Sequence, residues 1–119
     1  MVEPEPRGAP LHDPDYPAYS MGAAVDMLNV EPAFLRGLGA HGLIDPQRSS
    51  GGHRRYSYND LRVAARARDV VDEGITLAAA CRIVELERAL SAARTTINRL
   101  RGKLAEAGHP DVEEEQARR

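Results

Sequence analysis

Apolar residues recur at helical spacing along most of the chain, in three short groups and one long series. The first two groups predict short helices, one from the N-cap residue Ser20 to Leu28 and one that begins at Pro32. Leu35 and Leu38 are the expected core positions of the second helix. Because only about three residues separate these helices, they form a helix-turn-helix candidate.

A turn rich in serine and glycine, Ser49–Gly52, follows the two helices. It lies between two short segments, residues 44–48 and 53–57, and this arrangement predicts a β-hairpin. Tyr19 and Ser20 form a short extended entry to the first helix. Arginines flank the tip of the hairpin, which makes it the strongest local indication of nucleic-acid binding.

A third helix is predicted from Asn59 to about Glu73. Ser57 and Asp60 have the spacing of a capping box, in which the side chain of each residue accepts a hydrogen bond from the backbone N–H of the other. Gly74 suits the end of this helix, because glycine adopts the left-handed conformation without a steric penalty.

The fourth helix, which Thr76 caps, carries the long apolar series. Its members are spaced alternately three and four residues apart over three heptads, and neither proline nor glycine interrupts the helix before Gly102. They are Ile83, Leu86, Leu90, Ala93, Ile97, Leu100 and Leu104. So narrow a stripe, on a helix that extends beyond a small domain, favours pairing with a partner helix. The alternative is that the helix folds back on the first three.

Composition and charge fit one small domain with appendages. The chain has 119 residues and a formal net charge of -2, with one cysteine, one phenylalanine and no tryptophan. Seven basic and two acidic residues lie between residues 33 and 68, and six basic and two acidic residues lie between residues 82 and 103. Both ends of the chain are acidic, so the total charge does not exclude a polyanionic partner.

Four motifs follow one another along the chain: Tyr19-Ser20-Met21-Gly22-Ala23-Ala24, Pro32-x-x-Leu35-Arg36, Gly42-Leu43-Ile44-x-Pro46-x-Arg48 and Gly52-x-Arg54-Arg55-Tyr56-Ser57. Together they resemble the MerR family of winged helix-turn-helix transcription regulators over about residues 19–85. The resemblance implies a mainly α fold, in which a winged helix-turn-helix head with a small β-hairpin wing precedes a C-terminal coiled-coil helix. It also implies dimers that hold two DNA-binding heads apart through a long antiparallel helix pair and often regulate promoters by distorting spacer DNA.

Four regions are expected on this basis. Residues 19–74 form the predicted head, and residues 75–105 form the predicted dimerisation helix. Residues 1–18 are acidic and rich in proline, so we expect them to be a disordered lead. We also expect a disordered tail over residues 106–119.

The resemblance makes the second helix, Pro32 to about Ala40, the recognition helix that enters the major groove. Arg36 matches the arginine of the family motif, and its guanidinium group can bind guanine O6 and N7 or a phosphate. The wing arginines are expected to straddle the phosphate backbone, with the alternative that they only solubilise the fold. The expected DNA-binding residues are Ser20, Ala33, Phe34, Arg36, Arg48, His53, Arg54, Arg55, Tyr56 and Arg62.

Three members of this set have an alternative role. Phe34 either packs into the head or contacts a thymine methyl group. Tyr56 either packs into the head or contacts a phosphate through its hydroxyl group. Arg62 either reaches flanking phosphates or pairs with Asp69 or Glu73.

The second helix departs from the family pattern just after Arg36. Gly37 and Leu38 stand where two aromatic residues usually help to grip the sugar-phosphate backbone. Gly39 softens the helix further, since each internal glycine costs about 1 kcal/mol relative to alanine. We therefore expect either weaker backbone clamping by this helix or a helix that orders fully only on DNA.

The sequence contains no motif of an enzyme or of a metal site. The phosphate-binding, zinc-protease and serine-hydrolase patterns are absent, and Cys81 is better explained as a small buried residue than as a metal ligand. We therefore expect no catalysis, no cofactor and no metal. Because only a short acidic and polar stretch follows Lys103, no small-molecule effector is expected either. The apolar runs are too short to cross a membrane, and the expected location is the cytoplasm, in association with the nucleoid.

The function that the sequence predicts is regulation of transcription by a homodimer that binds specific sites in double-stranded DNA. RNA polymerase is a further candidate partner. One alternative is an adaptor whose coiled coil recruits another protein to DNA or RNA polymerase. Another is an architectural or excision-type factor that bends DNA.

Overall fold

The computed structural model describes residues 13–108, and in this range the chain forms four helices and a three-stranded antiparallel sheet. The chain divides into two units, one that ends at Val84 and one that begins at Glu85. Residues 13–84 are called the head below, and residues 85–108 the helical segment. The elements are β1 (Tyr19–Ser20), α1 (Met21–Leu28), α2 (Pro32–Ala40), β2 (Gln47–Arg48), β3 (Arg54–Tyr56), α3 (Tyr58–Asp72) and α4 (Leu77–Glu106).

Side-chain caps fix the start of helix α1 and the start of helix α3. The Ser20 hydroxyl accepts a hydrogen bond from the backbone N–H of Ala23 at 3.1 Å, which begins α1 where the sequence predicts it. At α3 the predicted capping box is complete. The Ser57 hydroxyl accepts from the Asp60 N–H at 3.0 Å, and the Asp60 carboxylate accepts from the Ser57 N–H at 3.0 Å.

Backbone conformations at the helix ends suit the residues found there. Asn29 ends α1 in the left-handed region, with φ of 54°. Gly74 lies beyond α3 with φ of 94°, and the hydroxyl of Thr76 accepts from the N–H of Ala79 at 3.2 Å at the start of α4. The chain therefore turns between helices at residues suited to each turn.

The core of the head joins all four helices to the wing, which is the hairpin of β2 and β3. Helix α3 contributes small residues that let its neighbours approach closely, and the beginning of α4 completes the core. Cys81 is buried there, as the sequence predicted, and Ile83 packs partly against the core. The buried apolar residues are Ala24, Leu28, Leu35, Leu38, Leu43, Ile44, Tyr56, Leu61, Ala64, Ala67, Val70, Ala80, Cys81 and Val84.

Strand β3 lies at the centre of the sheet, with β1 on one edge and β2 on the other. Tyr19 of β1 lies opposite Tyr56, and Arg48 of β2 lies opposite Arg54. The short extended entry predicted before α1 is therefore a sheet strand. Its pairing fixes the start of α1 directly against the wing.

Residues 13–18 depart from the expectation of a disordered lead. The side-chain amide of Asn59 donates to the Asp15 carboxylate at 2.7 Å, and the backbone N–H of Asn59 donates to the Pro14 carbonyl at 3.0 Å. These two hydrogen bonds fix the end of the lead to the first turn of α3. Residues 1–12 and 109–119, where disorder was also predicted, lie outside the described residues.

Arg68 ties helix α3 to the carboxyl end of α1. Its guanidinium group donates to the carbonyl oxygen of Leu28 and lies 3.4 Å from the Asp69 carboxylate. The last carbonyl groups of a helix have no partner within the helix, so an external donor stabilises them. This arginine therefore has a structural role, which its place in a basic stretch of sequence does not indicate.

Replacing Arg68 tests that role. We expect Arg68→Met to lower the free energy of unfolding by about 1–2 kcal/mol, because the Leu28 carbonyl loses its charged donor. Urea unfolding at neutral pH measures this change. The matched control is Arg62→Met on the exposed face of the same helix, which should change the free energy of unfolding by less than about 0.5 kcal/mol. Equal effects of the two substitutions would contradict the assignment.

Candidate nucleic-acid interface

Helix α2 and the wing together line two adjoining clefts on the head. The wing cleft has a volume of about 510 Å³ and is lined by Ser20, Met21, Gly22, Arg36, Arg48, Gly52, His53, Arg54 and Arg55. The loop cleft has a volume of about 290 Å³ and is lined by Arg36, Gly39, Ala40, Ile44, Asp45, Pro46, Arg48 and Arg54. Arg36, Arg48 and Arg54 line both clefts. The structure thus brings together six of the predicted DNA-binding residues, which are Ser20, Arg36, Arg48, His53, Arg54 and Arg55.

Hydrogen bonds within the wing hold its tip in one conformation. The Arg48 guanidinium donates to the Gly52 carbonyl at 2.9 Å, and the Ser49 N–H donates to the His53 carbonyl at 2.8 Å. Gly52 has φ of 82°, a conformation that glycine adopts without strain. The tip is therefore preorganised, and the exposed Arg48 contributes to that order.

Tyr56 is fully buried, with 0% of its surface exposed. Its hydroxyl donates to the sulfur of Met21 at 3.9 Å. Burial raises the pKa of this hydroxyl above its ordinary value, and the nearby Arg54 partly opposes that effect. The expectation that the Tyr56 hydroxyl contacts a phosphate is corrected here, because strand β3 directs the ring into the core.

Phe34 also lies away from the two clefts. It packs against the core and lines a separate groove beside α3, together with Val30, Arg68 and Val71. Of its two predicted roles, the structure shows packing against the core of the head, and contact with a thymine methyl group stays a prediction. Ala33 and Arg62 are exposed but line neither cleft.

Gly37 marks a close approach between α2 and the beginning of α4. A Cβ atom placed on Gly37 would lie 2.6 Å from a terminal methyl carbon of Leu77, which is closer than van der Waals contact. A larger side chain at residue 37 would therefore displace Leu77. The atom that would be displaced is the end of a flexible side chain, so this contact alone does not require glycine at residue 37, where the MerR-like pattern has an aromatic residue.

The two clefts and the elements around them fall within the match to a known family. The model of the MerR HTH family of regulatory proteins matches residues 19–87, which include every residue that lines the wing cleft and the loop cleft. The chain belongs to this family. The resemblance to this family that was inferred from its motifs is therefore confirmed.

Individual relatives agree with this assignment. The chain is 38% identical over 74 residues to a Streptomyces coelicolor protein named as heat shock protein HspR, a match that covers 61% of this chain and 49% of that protein. It is 27% identical over 62 residues to the HTH-type transcriptional regulator GlnR of Bacillus anthracis and of Bacillus cereus, covering 52% of this chain and 48% of those proteins. The chain thus spans about half the length of the curated relatives that it matches.

Within residues 13–108, no group of three or more histidine, cysteine, aspartate or glutamate side chains is placed to hold a metal ion. Among the helices of the same range, none is both long and apolar enough to span a membrane.

The buried hydroxyl of Tyr56 predicts a loss of stability at alkaline pH. Its pKa in the folded state lies above the ordinary 10.0, so the folded protein holds the proton more tightly than the unfolded chain does. The contribution of this group is complete below pH 10 and is lost as the pH rises further. We expect urea unfolding of Tyr56→Phe to depend less on pH above 10 than that of the wild type. Tyr58→Phe, at a residue that is 50% exposed, should keep the wild-type dependence.

Proposed function

We propose that the protein is a homodimer that recognises specific sites in double-stranded DNA with helix α2 and the wing, and so regulates transcription. The observation that carries this proposal is the meeting of Arg36 from α2 with Arg48 and Arg54 from the wing at the same two clefts. A recognition helix and a wing can then contact adjacent parts of one duplex.

The charge of this surface supports DNA as the ligand. Among residues 13–108, no carboxylate forms an ion pair with Arg36, Arg54 or Arg55. Their guanidinium groups keep their hydrogen-bond donors for a ligand, and planar donors of this kind suit phosphate oxygens and the guanine edge. The head therefore presents unneutralised positive charge where a polyanion would bind.

The two elements would have different tasks in the complex. Arg36 is exposed on α2, the element expected to enter the major groove, so we assign it to a base edge. Arg54 and Arg55 lie on β3, whose neighbour β2 leads into the rigid tip, and we assign both to the phosphate backbone. His53 lies at the same tip and lines the wing cleft.

Alanine substitutions separate these tasks. Arg54→Ala should weaken binding to every duplex about equally and reduce the log-log salt slope by about 0.9, because one phosphate contact is lost. Arg36→Ala should lose discrimination at one base pair, by about 1–3 kcal/mol. Fluorescence anisotropy with a selected duplex and a scrambled duplex at several salt concentrations measures both effects.

The control for these variants is Arg99→Ala, which removes the same charge from the exposed helical segment. It should leave discrimination unchanged and alter affinity less than Arg54→Ala does. Wild-type binding that does not depend on salt would contradict the proposal. Failure to recover any motif from a pool of random duplexes would favour an architectural factor.

Dimer formation is proposed from the surface of the helical segment. Its large aliphatic residues are 40–52% exposed although they follow the heptad pattern; they are Leu86, Leu90, Ile97, Leu100 and Leu104. Residues 85–108 contain no buried residue. Since isolated helices are marginally stable in water, pairing this stripe with that of a second copy would stabilise the segment.

A charge within the stripe should disrupt this dimer. Leu90→Glu is expected to convert a dimer at micromolar concentration into a monomer, because the carboxylate would be buried at the helix interface. Ala92→Glu adds the same charge to an exposed position outside the stripe and should remain dimeric. Sedimentation equilibrium measures the mass of each protein. A wild type that is monomeric at this concentration would contradict the homodimer and favour the adaptor alternative.

A further inference from the structure

One acidic residue lines the otherwise cationic clefts. Asp45 is exposed and lines the loop cleft with Arg36, Arg48 and Arg54. Among residues 13–108 it forms no ion pair with these arginines, so its carboxylate keeps its hydrogen-bonding capacity. Within the part of the chain that the structure describes, it is the one acidic residue that lines either cleft.

The backbone holds Asp45 at a defined position beside α2. Leu43 and Ile44 immediately before it are buried, with 5% of their surfaces exposed, and Pro46 follows it. A residue before proline is restricted to extended conformations, so little freedom remains at Asp45. The carboxylate is therefore presented at the cleft from an anchored segment.

A carboxylate in this place opposes general DNA binding. It repels phosphate oxygens, and when ionised it only accepts hydrogen bonds. Of the partners that a duplex offers, the exocyclic amino groups on the base edges are donors, and the amino group of cytosine in the major groove is the one that aspartate accepts from most readily. Repulsion by phosphate weakens binding to every duplex, and the hydrogen bond from an amino group strengthens binding only where that base is present. Both effects increase the discrimination between specific and non-specific DNA.

We propose that Asp45 is a specificity-determining residue, which accepts a hydrogen bond from a cytosine amino group in the major groove and disfavours DNA that lacks this base at that position. The inference rests on the proposed function, because it requires α2 to bind in the major groove. The proposal adds to that function one carboxylate that recognises a base, among the arginines that line the loop cleft.

Selection from random duplexes, followed by anisotropy, tests the assignment with Asp45→Asn and Asp45→Ala. The wild-type motif should contain a cytosine at which Asp45→Ala loses preference, with discrimination falling about tenfold. Asp45→Asn should prefer adenine at that position, since an amide both donates to and accepts from adenine. Both variants should bind scrambled DNA more tightly than the wild type does.

Asp72→Asn is the matched control, because it removes one negative charge at an exposed residue that lines neither cleft. If it and Asp45→Asn raise affinity for selected and scrambled duplexes by the same factor, with an unchanged motif, Asp45 acts only through net charge and the inference is overturned. It is also overturned if the base that changes is the one affected by Arg36→Ala, because Asp45 would then act through the arginine. Wild-type protein that binds no duplex would overturn the proposed function as well, which distinguishes the two failures.

Discussion

The interface depends on the central position of one strand, β3, which is hydrogen-bonded to a strand on each side. Its three residues pair with β1 on one edge and β2 on the other, and Tyr56 at its end is fully enclosed. Arg54 and Arg55, which precede Tyr56 in this strand, both line the wing cleft. Directly after the strand, Ser57 caps α3. A single short strand thus positions the wing, the core and the third helix.

Local signals in the sequence were sufficient to predict the secondary-structure elements. Apolar spacing, the caps at Ser20 and Ser57 and the glycine-rich turn predicted the four helices and the hairpin near their observed bounds. These features are local, since each depends on residues that are neighbours in sequence. The grouping of Arg36 with the wing arginines came from the family resemblance, because periodicity alone does not relate two elements in space.

Contacts between distant residues account for what the sequence did not predict. Asn59 binds Asp15 across 44 positions, and Arg68 binds the Leu28 carbonyl across 40. Neither pair can be recognised in the sequence, because a single polar contact between distant residues produces no periodic pattern of residue types. The burial of Tyr56 follows from its position in the sheet. Residue type alone does not predict it, because tyrosine occurs at both buried and exposed positions. The sequence therefore shows which residues are basic, but it does not show which of them already bind another group of the protein.

Arg48 uses one of its hydrogen-bond donors within the protein and keeps the others for a ligand. One guanidinium nitrogen donates to the Gly52 carbonyl, whereas the same group has further N–H donors that diverge from it in a rigid plane. A single side chain can thus hold the wing tip and reach outward at the same time. Lysine at residue 48 would keep the charge, but its compact ammonium group lacks the wide planar spread of donors that the guanidinium group offers. The wing consequently requires the planar shape of arginine at this position as well as its charge.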